Sequence, residues 1–151
     1  MKKVLIPALT LALTVATAHA EESPLWMRYC ALSPDGQTIA FSYQGELFTV
    51  PATGGEARQL TTHPGQDTRP VWSPDGKQLA FASDREGQFD IYLIDKEGGE
   101  PKRLTTHSAS EYPLAFTDNS HVLYQANIMQ DAKDIQFPGT RFMQVYSVDT
   151  E

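Results

Sequence analysis

The sequence predicts an all-β chain built as an incomplete β-propeller of about three four-stranded blades, the third truncated. Three observations predict it. Leu32-Ser33-Pro34-Asp35-Gly36-Gln37-Thr38-Ile39-Ala40-Phe41-Ser42 returns, Ser33 becoming Ser73, as Trp72-Ser73-Pro74-Asp75-Gly76-Lys77-Gln78-Leu79-Ala80-Phe81-Ala82. Arg58-Gln59-Leu60-Thr61-Thr62-His63 returns, His63 becoming His107, as Lys102-Arg103-Leu104-Thr105-Thr106-His107. The strands between these markers, Leu79-Ala80-Phe81-Ala82 and Ile91-Tyr92-Leu93-Ile94, are apolar on both faces, as strands packed between two other sheets must be. No amphipathic helix of useful length follows the first twenty residues.

Residues 1–20 read as a cleaved secretory signal. Lys2 and Lys3 precede the apolar run Val4 to Val15, and Ala18-His19-Ala20 supplies the small-x-small cleavage pattern. The run is short for a span of ~30 Å of hydrocarbon, and Cys30 lies too far past Ala20 to be an acylation site at the cleavage point. The expected organisation is a signal peptide over 1–20 and a partial propeller over 21–151, with blades at approximately 25–63, 68–107 and 112–151. The expected location is periplasmic or secreted, with no membrane insertion after cleavage.

Without Lys2 and Lys3 the twelve basic residues become ten against nineteen acidic, so the net charge of −7 becomes −9. That balance argues against nucleic acid, whose phosphates need a basic surface, and against an anionic membrane. Cys30 is the single cysteine, so no internal disulfide forms and packing alone holds the fold. A free thiol in an oxidising compartment is tolerated when buried, which places Cys30 inside a strand.

The second copy shows each blade most clearly. Arg69 to Trp72 forms strand one, and Ser73-Pro74-Asp75-Gly76 a tight turn in which Pro74 pre-sets φ, Asp75 caps, and Gly76 takes the positive φ that follows. Strand two is Gln78 to Ser83 and strand three Phe89 to Asp95; Gly98-Gly99 makes the next hairpin and strand four runs about Pro101 to Leu104. The first copy has Gly54-Gly55 in the same place. Four residues gained in the second copy fall in Asp84 to Phe89, where a surface hairpin tolerates them. In the third copy Ala115-Phe116-Thr117-Asp118-Asn119-Ser120-His121-Val122-Leu123-Tyr124 matches Val71 to Phe81 with one residue missing. An insertion follows over Gln125 to Phe142, containing Pro138-Gly139, and the pattern resumes at Val145-Tyr146-Ser147-Val148-Asp149. The chain then stops at Glu151, in mid-repeat. Three blades do not close a ring, so the natural protein is expected to continue, and this polypeptide alone to be poorly soluble or to associate.

The motifs Ser33 to Gly36, Ser73 to Gly76, and Ser83-Asp84-Arg85 with Ile91-Tyr92 resemble a family of exported propellers shared by TolB-type envelope proteins, tricorn-like proteases and oligopeptidases of the dipeptidyl-peptidase type. Fold alone does not choose among them. The chain is most similar to the tricorn-like serine proteases. Pro24-Leu25-Trp26-Met27-Arg28-Tyr29 leads at once into the first repeat, with no room for the α/β domain that precedes a TolB propeller. Asp67-Thr68-Arg69-Pro70-Val71-Trp72, Glu111-Tyr112-Pro113-Leu114-Ala115-Phe116 and Gln136-Phe137-Pro138-Gly139 carry the same likeness, and Asp118-Asn119-Ser120 departs from it. The resemblance implies a large protease whose propeller guides or filters peptides or unfolded protein segments toward a distant serine, in PDZ-like and catalytic domains farther along the same chain. A homo-oligomer is a further implied possibility for the full-length protein. A TolB-like protein-binding scaffold, and a dipeptidyl-peptidase type enzyme, stand as alternatives.

The residues themselves yield no catalytic, cofactor-binding or metal-binding assignment. No Gly-x-Ser-x-Gly elbow is present. Ser33 and Ser73 are each followed by Pro and recur with the turn, which is what turn capping requires and a nucleophile does not. His63 and His107 are repeat-equivalent, His121 opens a strand and His19 leaves with the signal; three convergent ligands are lacking. Asp84, Glu86 and Asp90 around Gly87 lack the cadence of a calcium loop and read as a charged, solvated hairpin. Gly54-Gly55 and Gly98-Gly99 are followed by neither Lys-Ser/Thr nor a helix, so they cradle no phosphate. Trp72, Phe81, Phe89 and Tyr92 read as blade core.

Overall fold

The computed structural model of the chain describes residues 26–127 and 143–151. The leader and most of the expected insertion, Pro138-Gly139 included, lie outside the described residues. Three antiparallel sheets follow one another, each a meander with its strands in chain order. The first contains β1 (Arg28–Leu32), β2 (Thr38–Tyr43), β3 (Glu46–Pro51) and β4 (Arg58–Gln59). The second contains β5 (Asp67–Trp72), β6 (Gln78–Ser83), β7 (Asp90–Asp95) and β8 (Lys102–Arg103), and the third β9 (Glu111–Phe116), β10 (His121–Ala126) and β11 (Gln144–Asp149). This is the partial propeller that the repeat predicts. No helix among the described residues is long and apolar enough to cross a membrane.

The repeated tetrapeptide explains its own recurrence. Gly36 N–H donates to the Ser33 carbonyl and Gly76 N–H to the Ser73 carbonyl, both at 2.9 Å, and the two glycines have φ of +71° and +68°. The Ser33 hydroxyl donates to Asp35 Oδ1 at 2.6 Å and accepts from Thr38 N at 2.9 Å. Ser73 repeats both bonds, to Asp75 at 2.8 Å and from Gln78 N at 3.0 Å. These hydroxyls hold the Asp35 and Asp75 carboxyls below the usual carboxylate range, helped by the backbone N–H of Gln37 and Lys77. Ser73 is fully buried. Ser73→Ala is therefore expected to cost about 1–2 kcal/mol, the price of an orphaned buried donor, measurable by denaturant titration of the full-length protein.

The middle sheet is the one covered on both faces. Its β6 and β7 are buried almost throughout, whereas β3 and β10 alternate buried and half-buried residues. One core lies between the first and second sheets and includes Leu47, Leu60, Leu79, Phe81, Tyr92 and Ile94. The other lies between the second and third and includes Ala80, Ile91, Leu93, Val122 and Tyr124. Successive side chains along β6 thus serve different cores, the geometric meaning of a strand apolar on both faces. Neighbouring sheets are also linked backbone to backbone: Asp67 N–H donates to the Gly45 carbonyl, and Glu111 N–H to the Phe89 carbonyl, each at 2.7 Å. Trp72 Nε1 donates to the Ala31 carbonyl at 3.0 Å, and Asn119 Oδ1 accepts from Asp75 N at 3.0 Å.

The four-residue gain falls in the β6–β7 loop as expected. Tyr43 pairs with Glu46 across a two-residue turn in which Gln44 and Gly45 have φ of +52° and +88°, and the corresponding connection in the second sheet runs from Ser83 to Asp90. Both conformations suit a tight hairpin whose twist matches the flanking strands. Gly54 and Gly98 close the β3–β4 and β7–β8 turns, donating to the carbonyls of Pro51 and Asp95 at 2.8 Å.

Three expectations need correction. Cys30 lies in a strand but is exposed. It shares its side of β1 with Leu32, which is 60% exposed, and no described sheet packs there. Asp90 is not part of a solvated hairpin: it opens β7, is fully buried, and pairs with Arg103 at 2.7 Å. Phe89 precedes the strand and is half-buried, its ring packed at a tilt of 38° against Tyr112 with centroids 5.3 Å apart. Phe81, Tyr92 and the partly buried Trp72 do pack in the core.

Candidate functional site

The first strands of successive sheets approach one another, β1 against β5 and β5 against β9, so they form the inner edge of the wedge. Each carries a bulge. On β1 and β5 one extra residue is accommodated between Arg28 and Ala31, and between Thr68 and Val71. Tyr29 and Arg69 fall in these bulges, both with φ of +54°. Left-handed backbone is unfavourable for such side chains, and a bulge re-aims the residue it holds. Here it brings side chains of three sheets together. The Arg69 guanidinium lies 5.1 Å from the Tyr29 ring centre and 4.4 Å from that of Tyr112. Beside them the Arg28 guanidinium lies 5.4 Å from the Trp26 ring. Such contacts contribute roughly 0.5–2 kcal/mol each, more as water is excluded.

This edge is the open, polar-aromatic surface of the described chain. Trp26 is 72% exposed and Tyr29 47%. A cavity of about 180 Å³ opens between the first two sheets, lined by Trp26, Arg28, Tyr29, Gln66 and Thr68 among others. Arg58, Arg85 and Arg103 each pair with a carboxylate, whereas Arg28 and Arg69 have no such partner among the described residues.

The Ser83-Asp84-Arg85…Ile91-Tyr92 signature has a structural meaning. Arg85 Nη2 holds both oxygens of the fully buried Asp67 at 3.1 and 3.0 Å, and Arg85 Nε donates to Ser83 Oγ at 2.9 Å. Its guanidinium also lies 4.6 Å from the Tyr92 ring centre and 5.8 Å from that of Phe81. The third sheet has Glu111 at the place of Asp67. Glu111 is fully buried, and neither carboxyl oxygen has a hydrogen-bond partner among the described residues. Burial pushes its carboxyl above the usual range, with the Thr105 hydroxyl opposing and the Asp90 charge adding to the rise. Burial likewise pushes Asp90 up, against the pull of Arg103.

A raised native value means the folded state holds its proton longer than the unfolded chain. Stability is then full below the ordinary value of 4.5 and lost as pH rises through the native value of Glu111. Glu111→Gln is expected to match the parent near pH 4 and to exceed it at pH 8 by on the order of 1 kcal/mol, read from urea midpoints at the two pH values.

The other sequence candidates are placed in backbone contacts. His63 Nδ1 accepts from Gly65 N at 2.9 Å and His107 Nδ1 from Ala109 N at 3.1 Å. Thr61 and Thr105, beside them in the repeat, accept from Leu47 N and Ile91 N at 2.9 Å. His121 opens β10 and faces Asp118 at 3.0 Å; this contact raises the imidazole above its usual value. Asp84 accepts from Gln66 N, while Glu86 is exposed. No group of three or more His, Cys, Asp or Glu among the described residues is arranged to hold a metal ion. Arg69 and its two tyrosines lie in the runs that carry the family likeness, but nothing in those runs assigns them a joint role, although counting back from the matching turns puts Tyr29 and Arg69 at one repeat position.

Residues 24–151 match the family described as the tricorn protease N-terminal beta propeller domain. The chain belongs to this family. Similar proteins agree with a tricorn-type propeller and extend beyond it. An uncharacterized peptidase, YuxL of Bacillus subtilis, is 38% identical over 74 residues, covering 44% of this chain and 10% of the peptidase. The solved structure of a putative TolB from Agrobacterium tumefaciens shares the fold, with a TM-score of 0.69 and 23% identity over 85% of this chain and 47% of that one. The tricorn protease crystal structure does so with a TM-score of 0.58 and 16% identity, over 80% of this chain and 13% of that one. The chain thus spans a tenth of the peptidase and about half of the TolB structure.

Proposed function

We propose that this chain is the non-catalytic propeller portion of an exported serine protease of tricorn type, and that it guides or filters peptides or unfolded segments toward catalytic domains elsewhere in the protein. The observation that carries this reading is the convergence of Tyr29, Arg69 and Tyr112, one from each sheet, on the inner edge. The exposed Trp26, Arg28 and Tyr29 line a small cavity beside the half-buried Arg69 and Tyr112, a mixture of aromatic and guanidinium groups that suits an extended chain, which offers apolar side chains and backbone carbonyls together. The leader pattern over 1–20 supports a periplasmic or secreted location.

Binding energy from parts of a substrate remote from the reacting bond is lost when the remote contacts are removed. In the full-length protein, Tyr29→Ala/Tyr112→Ala is expected to slow turnover of a long unfolded substrate by roughly fivefold or more, leaving that of a short chromogenic peptide unchanged. Equal slowing of both, or of neither, contradicts the guiding role. A TolB-type binding module with no enzyme attached would use the same surface; peptide binding without turnover of either substrate selects that reading.

A further inference from the structure

We infer that Asp35-Gly36 and Asp75-Gly76 are latent isoaspartate sites that the hydroxyls of Ser33 and Ser73 hold unreactive. These are the two Asp-Gly steps of the sequence, which has no Asn-Gly. The reaction draws on water alone. The glycine nitrogen attacks Cγ of the preceding aspartic acid, and its proton leaves with the carboxyl hydroxyl as one water, closing a five-membered succinimide. A second water then opens the ring at the former main-chain carbonyl. The backbone now runs through Cβ and Cγ and is longer by one carbon. Glycine favours the closure because no Cβ shields its nitrogen. No atom beyond the chain neighbours lies within 4 Å of the place a Gly36 Cβ would take, and Asp35 and Asp75 are both exposed. Packing therefore supplies no shield, and water has access.

The turn opposes both requirements of the attack. The nitrogen must give up its proton, yet Gly36 N–H and Gly76 N–H are committed to the Ser33 and Ser73 carbonyls at 2.9 Å. The carboxyl must be neutral and free to swing onto the nitrogen. Asp35 Oδ1 instead accepts from the Ser33 hydroxyl at 2.6 Å and from Gln37 N at 3.0 Å. Asp75 Oδ1 accepts from the Ser73 hydroxyl at 2.8 Å and from Lys77 N at 3.1 Å. Hydrogen bonds to a carboxylate favour its ionised form, which is a poor acceptor for a nitrogen. Each serine is itself fixed: it is buried, and its hydroxyl also accepts from the N–H of Thr38 or Gln78. At the second turn Asn119 of the third sheet holds Asp75 N as well, at 3.0 Å. A lengthened backbone at either place would break the turn that leads into β2 or β6.

The test ages the full-length protein in warm neutral buffer and measures isoaspartate at each turn, by enzymatic isoaspartyl methylation of the two proteolytic peptides that contain them. Ageing in urea supplies the unguarded rate. Native protein should form isoaspartate at both turns at least about tenfold more slowly than unfolded protein, because the reaction waits on local opening. Ser73→Ala should raise the native rate at Asp75 about fivefold, the worth of one hydrogen bond, and leave Asp35 unchanged. Ser33→Ala should do the reverse. The untouched turn reports any general loosening of the fold, so a rise confined to the altered turn is the signature of the missing hydroxyl. Equal native and unfolded rates in the parent overturn the protection. No rise in either variant, or an equal rise at both turns in both variants, overturns the role of the serines.

Discussion

Phe81→Ala is expected to destabilise the first two sheets by about 3–5 kcal/mol. Phe81 is fully buried on β6, in the core shared with Leu47, Leu60 and Ile94. Its ring lies 5.8 Å from that of Tyr92 and from the Arg85 guanidinium. Truncation removes apolar contact from both sheets at once, and strands pinned by paired backbone hydrogen bonds have little room to collapse into the void. The measurement is native-state hydrogen exchange of β6 and β7 amides in the full-length protein, which reads local opening without requiring the whole chain to unfold in one step. Protection lost from β2, β3, β6 and β7 together is the expected pattern. A loss of less than about 1 kcal/mol would mean that the interface is not close-packed.

Arg85→Met is expected to have an effect of similar size for a different reason. It leaves Asp67 fully buried with its counter-ion gone, and breaking a buried pair on one side typically costs about 3–5 kcal/mol. Arg85→Lys should recover little, because one ammonium cannot reproduce the contacts to Asp67, Ser83 and the Tyr92 ring. Asp67→Leu/Arg85→Met should recover most of the loss, since an apolar pair of similar volume is often neutral or better. Hydrogen exchange of β5 and β6 in the two single variants and the double completes the cycle. Additive losses would show that Arg85 and Asp67 act independently.

Most of the scaffold was legible because it is written in short-range chemistry. Ser-Pro-Asp-Gly specifies its turn with its own atoms, so the beginning of β6 at Gln78 followed from Ser73 and Gly76. The two-sided apolar character of β6 and β7 predicted a sheet with neighbours on both faces. What could not be read depends on contacts between distant residues. Asp90 looked solvated because it was grouped with Asp84 and Glu86 around Gly87; Arg103 and the approach of the third sheet bury it. Cys30 was expected to be buried because a free thiol in an oxidising compartment is tolerated there, but that side of β1 has no described sheet upon it. The Arg69 stack was hidden by a one-residue bulge, which shifts the alternation on which face assignments rest. Ser83-Asp84-Arg85 could be recognised as a signature, yet its meaning lies in a contact no spacing reveals, Arg85 reaching back to Asp67.

The bonds from Asp67 to Gly45 and from Glu111 to Phe89 join main chain to main chain, so they are indifferent to what hangs from either end. Aspartate gives way to glutamate on one side and glycine to phenylalanine on the other, yet the donor, the acceptor and the 2.7 Å separation are unchanged. The angular step from one sheet to the next is in this sense inherited from the peptide unit. Side chains are then free to drift around a pitch that they do not set, which is how a third copy so eroded in sequence still takes its place in line.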